Sequence, residues 1–231
     1  MKVPWLAKDE IAWKAFRLLT DYEAMVGRKI GPPIPVEDII ERYLGLNLCF
    51  EDLDGLLDGK NVLGALYVKS MRVCVNEKLL EGRNEGRLVF TCAHEAGHWV
   101  LHRHLVDTAG RPGDDTGAIV CRAKNARKPI EWQADYFAAC LLMPEDEVKR
   151  AFYASCGPEA LVLTNVRSCF GGTAQCIDPC AENWHLIADL VCEAGRFTNV
   201  SRQAMIIRME ELGLLVNLTS ERVGWGELSK R

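Results

Sequence analysis

Two histidines four residues apart, with a carboxylate beside the first, constrain this chain more than anything else in it: His94-Glu95-Ala96-Gly97-His98. On an α-helix, about 100° per residue places the two imidazoles roughly 40° apart on one face. Both rings can then grip a single metal ion from one side. Glu95 is turned by about 100° from His94. There it lies close to such a metal without having to bind it, and it can take a proton from an activated water. The H-E-x-x-H pattern on a helix is a signature of zinc-dependent hydrolysis. A plainer alternative is a buried helix whose two histidines only form hydrogen bonds.

The surroundings support the helix. Asn84 is a suitable N-cap and Glu85 an acidic first-turn residue. Leu88, Val89, Cys92, Ala93, Ala96, Val100 and Leu101 recur at helical spacing, so a helix is expected over about 85–103. Gly97 inside it costs about 1 kcal/mol relative to alanine, which suggests that another backbone or the metal surroundings pack closely there.

A catalytic zinc takes three protein ligands and keeps one position open. His102 and His104 follow on the same chain, but a ligand one turn further lies about 5.4 Å along the axis and does not easily close a tetrahedron. They are read as supports of a ligand, as substrate-facing groups or, preferably, as surface residues. Glu131 is the stronger candidate. Residues 129–143 form a second expected helix, opened by Pro129 and ended by Pro144. Glu131 and Asp135 share one face of it among alanines and aromatics, where an unpaired carboxylate is expensive. A metal on Glu131 and an imidazole N–H on Asp135 satisfy both. Two carboxylates on a solvated face are the alternative.

With both helices in view, the chain resembles the ImmA/IrrE family of zinc metallopeptidases. The residues that carry the resemblance are His94-Glu95-Ala96-Gly97-His98, Glu131 to Ala138 and Leu141-Leu142-Met143-Pro144, with Gly64 to Val68 and Arg72 to Asn76 as the paired strands before the metal helix. It covers roughly residues 30–150, with a weaker echo at the C-terminus. It implies zinc on His94, His98 and Glu131, Glu95 as general base and Asp135 behind a ligand imidazole. It also implies a protein substrate, a helix-turn-helix repressor of a mobile element, toxin–antitoxin or stress-response system. The fold implied is α+β: a zincin-like metallopeptidase domain, with helices on a small, mostly antiparallel sheet, followed by a helical helix-turn-helix-like module.

The expected organisation is a metallopeptidase domain over 1–155, a Cys-rich insertion over 156–183 and the helical module over 184–231. Within the first part, a helix is expected over 8–26 with Ile11, Ala12, Ala15, Phe16, Leu18 and Leu19 as its apolar face. A stiff linker at 31–35, a short helix at 36–43 and a strand at 46–50 follow. Gly64–Val68 and Met71–Val75 form a hairpin turning at Lys69-Ser70. An edge strand beside the metal would hold an extended peptide by main-chain pairing. The segment 107–129 reads as a loop with a basic cluster at Arg122, Lys124, Arg127 and Lys128, a solvated feature rather than a binding patch. In the C-terminal part, helices are expected over 184–193 and 202–212, the second capped by Ser201 and stopped by Gly213. Phe197 to Met209 resembles a recognition segment in which Arg202, Gln203 and Arg208 could face DNA. A docking or packing module is the preferred reading, because the chain carries a net charge of −4 and Glu210-Glu211 follow that segment.

The 231 residues suit one compact domain with a small appendage. No apolar run is long enough to span a bilayer, and the N-terminus lacks a signal peptide's apolar core, so a cytoplasmic protein is expected. The ten cysteines are then read as reduced. Cys49, Cys74, Cys92 and Cys140 read as small core residues. Cys156, Cys169, Cys176, Cys180 and Cys192, with His185, have irregular spacings, so one zinc per chain is expected and a second at that cluster is not. Tyr136, Tyr153, His104 and His185 are equal candidates for stabilising an oxyanion. The rival to a peptidase is a non-catalytic zinc-containing regulator that inactivates a repressor, or binds DNA, by docking. A non-peptidase zinc hydrolase has no substrate signature in the chain.

Overall fold

A computed structural model describes residues 3–54, 62–81, 85–106, 118–122, 129–163, 175–177 and 181–218. The chain opens with α1, Lys8–Val26, whose buried face is Ile11, Ala15, Leu18, Leu19 and Tyr22. Gly27 ends it in the left-handed conformation at φ 72°, its N–H returning to the Glu23 carbonyl. Phe16, expected on the apolar face, is 60% exposed. A short helix α2, Val36–Asp38, continues as a wider π-turn over Ile39–Tyr43.

The main sheet has strand order β1-β3-β2-β4, from β1 Asn47–Glu51, β2 Val62–Tyr67, β3 Arg72–Asn76 and β4 Ala118–Arg122. β2 and β3 form the expected antiparallel hairpin, with Gly64 opposite Val75 and Tyr67 opposite Arg72. Met71 takes the positive φ of 52° in the turn. β1 runs parallel to β3, and β4 runs antiparallel to β2 at the sheet's edge. β4 was expected as loop. Its pairing partner lies more than fifty residues earlier, so its strand character comes from β2 and not from local pattern.

Two helices carry the centre of the molecule. α3, Glu85–His102, lies on the sheet, and α4, Pro129–Leu142, packs against α3 on one side and α1 on the other. Sandwiched in this way, α4 is buried along almost its whole length, as its nearly continuous apolar sequence requires. Gly97 lies where the two helices cross. A Cβ there would stand 3.0 Å from Phe137 Cδ1 and 3.3 Å from the Ala134 carbonyl oxygen, so glycine allows the close approach. The expected N-cap Asn84 lies outside the described residues.

α5, Glu145–Cys156, begins after Pro144 with three acidic residues in its first turn, favourably placed on the helix dipole. α6, Ala181–Gly195, packs on α5, and α7, Arg202–Glu211, packs on α6. Ser201 Oγ accepts the Ala204 N–H at 3.1 Å, and Gly213 follows the last turn at φ 69°. An unexpected second sheet of three short parallel strands, order β6-β5-β7, joins β5 Leu161–Leu163, β6 Gln175–Ile177 and β7 Leu215–Asn217. One cluster of buried apolar residues runs from Ile11 to Leu215, so α6 and α7 rest on the same core as α3 and α4. Arg208 is not available to DNA: it is 3% exposed, and its Nε donates to the Met143 carbonyl. Arg202 is tied on the surface to Asp189. No described helix is long and apolar enough to cross a membrane.

Candidate metal centre

α3 turns His94 and His98 toward α4, which answers with Glu131 and Asp135. His94 Nε2 stands 3.5 Å from Glu131 Oε2, and His98 Nε2 stands 3.6 Å from Glu131 Oε1. One ligand atom from each of the three residues falls within 4.8 Å of the others, and all three residues are buried. A tetrahedral zinc with bonds of about 2.0–2.2 Å holds its ligand atoms roughly 3.3–3.6 Å apart. The donor set fits such an ion in type and in spacing. His98 Nε2 is buried without a hydrogen-bond partner among the described residues, the condition of a lone pair waiting for a metal.

The other ring atoms are held from behind. His94 Nδ1 lies 2.8 Å from Asp135 Oδ1, the carboxylate–imidazole contact expected for a metal-bound histidine. His98 Nδ1 lies 3.0 Å from His102 Nδ1, and His102 Nε2 lies 2.9 Å from Gln133 Oε1. His102 is therefore no surface residue; it is fully buried against His98, one turn earlier. His104 is exposed, as expected. Gln133 was missed in the sequence, although a polar side chain amid the apolar run of α4 was a signal that it had a partner.

Glu95 faces the sheet. Both its carboxylate oxygens are buried without a hydrogen-bond partner among the described residues. The strand beside it has no side chain at the closest point: a Cβ on Gly64 would lie 2.5 Å from Glu95 Oε1. Burial pushes the Glu95 carboxyl up to about 8, with His94 opposing the shift and Glu131 adding to it. Burial also raises Asp135, against the hydrogen bond from His94, and it holds His98 well below its ordinary value. A neutral His98 is what a metal needs. The two destabilised carboxylates are what a divalent cation relieves, since positive charge favours their ionised forms.

Of the four oxyanion candidates, His104, Tyr153 and His185 are exposed. Tyr136 is buried, stacked on Trp132 at 5.7 Å with the Lys8 ammonium 5.1 Å from its ring centre. Burial raises its phenol to about 12. Cys169 and Cys180 lie outside the described residues, as does the side chain of Cys176, while Cys156 and Cys192 are free thiols. The basic cluster at Arg122, Lys124, Arg127 and Lys128 also falls outside the described side chains. Cys49 and Cys74 face each other across β1 and β3 near Glu51. That group already contains a cation, because Arg72 Nη2 lies 3.3 Å from Cys74 Sγ and 3.5 Å from Glu51.

The helix pair, the sheet beside it and the buried His–His–Glu set define a metallopeptidase domain. The family model described as Peptidase_M78, IrrE N-terminal-like domain, matches residues 41–178, more than half of the 231, and the chain belongs to that family. The match includes α3 and α4 with every residue of the metal centre and ends before α6. No curated protein matches the chain.

Proposed function

We propose that the protein is a zinc-dependent endopeptidase, with His94, His98 and Glu131 as the metal ligands and Glu95 as general base. The observation that carries this reading is the convergence of those three ligand atoms beside a buried carboxylate that no described residue neutralises. Zinc bound by this set supplies Lewis acidity toward the attacking water and the scissile carbonyl. Glu95 takes the water's proton and passes it to the departing amine. Asp135 keeps the His94 ring in place throughout. Packing of α3 on the sheet and α4 excludes water behind the metal, which strengthens each of these interactions.

The substrate class follows from the family resemblance: a helix-turn-helix repressor, presented as an extended peptide. Strand β4, at the edge of the sheet, offers main-chain groups for such a segment to pair with. The test is to incubate the zinc-loaded protein with a repressor encoded beside its own gene. A discrete fragment is expected, and it should vanish with Glu95→Gln while zinc content is kept. Intact repressor in every lane, with altered DNA binding, would instead establish inactivation by docking.

A further inference from the structure

Three buried side chains, beginning with His98, form a continuous line that ends on the N-terminal arm. His98 Nδ1 meets His102 Nδ1 at 3.0 Å, His102 Nε2 meets Gln133 Oε1 at 2.9 Å, and Gln133 Nε2 reaches the Pro4 carbonyl at 2.9 Å. All three side chains belong to residues with 0% exposure. The far end dictates the sense of every bond. A backbone carbonyl can only accept, so the amide NH2 of Gln133 must face Pro4 and its oxygen must face His102. That oxygen needs a donor, so His102 carries its proton on Nε2. Neither of its ring partners, a carboxamide and an imidazole, is a carboxylate that would hold it as a cation, and a neutral ring protonated at Nε2 has its lone pair on Nδ1. His98 must then donate from Nδ1, which leaves the lone pair on Nε2, the atom that faces Glu131.

We propose that the Pro4 carbonyl, acting through Gln133 and His102, fixes His98 in the one tautomer that presents an unprotonated Nε2 to a metal. This rests on the reading of His98 as a metal ligand and makes His102 and Gln133 positioning residues. The two ligand histidines are thus set by different means: His94 by a carboxylate of the neighbouring helix, His98 by a neutral chain whose polarity is anchored outside both helices. The arm has its own attachment. Trp5 stacks on Trp132 with centroids 5.4 Å apart and planes within 4°. Trp132 flanks Gln133 in sequence, so the stack sets the Pro4 carbonyl beside the amide it accepts from.

The tautomer can be read directly in metal-free, full-length protein carrying 15N-labelled histidine. His98 is expected as the Nδ1–H form and His102 as the Nε2–H form. His102→Phe is expected to release His98 into a tautomer mixture and to lower zinc affinity, measured by chelator competition, by about 10–100-fold. His102→Gln, whose amide oxygen can accept from His98, is expected to recover most of that loss. A wild-type His98 protonated at Nε2 overturns the proposal, as does a folded His102→Phe that binds zinc as tightly as wild type. If His102→Phe fails to fold, the wild-type spectrum alone decides. Failure of the metal reading looks different, because zinc would bind to none of the proteins while the wild-type tautomer is still observed.

Discussion

Replacing Gly64 with alanine should harm the site by displacing Glu95, not by weakening the sheet. The new Cβ would stand 2.5 Å from Glu95 Oε1 and 3.0 Å from its Cδ and Cγ. Glu95 is 0% exposed, so its carboxylate has no solvent to retreat into. Overpacking of this kind costs about 1–3 kcal/mol. The strand itself gains, because alanine is favoured over glycine in a strand interior by roughly 0.5–1 kcal/mol. The net cost in the native background is therefore about 0–2.5 kcal/mol. In a Glu95→Ala background the clash is gone, and the same substitution should stabilise by roughly 0.5–1 kcal/mol. Urea unfolding of the four proteins of this cycle gives the coupling, expected at about 1–3 kcal/mol. Peptide cleavage by Gly64→Ala should fall by about 100-fold with zinc retained, the usual cost of moving a reacting group by about 1 Å. Equal destabilisation in both backgrounds would refute the reasoning, since the clash would then not be with Glu95.

Two further outcomes follow from the same centre. Asp135→Asn leaves His94 Nδ1 a neutral acceptor in place of a charged one, and zinc affinity by chelator competition should drop by about 10–100-fold while the fold is kept. In metal-free protein, the Glu95 carboxyl is raised from 4.5 to about 8, so between these values the folded chain holds a proton that the unfolded chain has lost. Stability should therefore fall as pH rises through that window, by on the order of 5 kcal/mol at about 1.4 kcal/mol per unit. The slope should be largely absent from Glu95→Gln, and parallel urea-stability profiles for the two proteins would rule it out.

The frame of the molecule was legible where local chemistry decides it. The spacing of Ile11, Ala15, Leu18 and Leu19 gives α1, and its bounds match those observed. Ser201 caps α7 because its hydroxyl has one good use there. The His94, His98 and Glu131 grouping was readable because two helices with facing polar residues leave little else for those residues to do. What was not legible depends on contacts between distant segments. His102 was read by preference as a surface residue, because its place one turn beyond His98 suits no tetrahedron and nothing local in the sequence shows its burial. Its real partner, Gln133, lies 31 residues away on another helix. Gly64 carries no sign in the strand pattern of the carboxylate that approaches it from α3. The three-residue strands β5, β6 and β7 are too short to show a period, and Arg208 looked available because burial of its guanidinium depends on the Met143 carbonyl, far back in the chain.

His98 and Glu131 belong to different helices, with the chain from Arg103 to Lys128 running between them. An ion held by both would tie those helices together, in a geometry that the unfolded chain does not keep. Mass action then adds to stability: free metal at about a thousand times its dissociation constant contributes at most roughly 4 kcal/mol, less any binding to thiols and imidazoles of the unfolded chain. At that upper bound the unfolded fraction falls by about three orders of magnitude. Metal supply would thus govern how long each copy of the chain survives cellular degradation, independently of any substrate it meets.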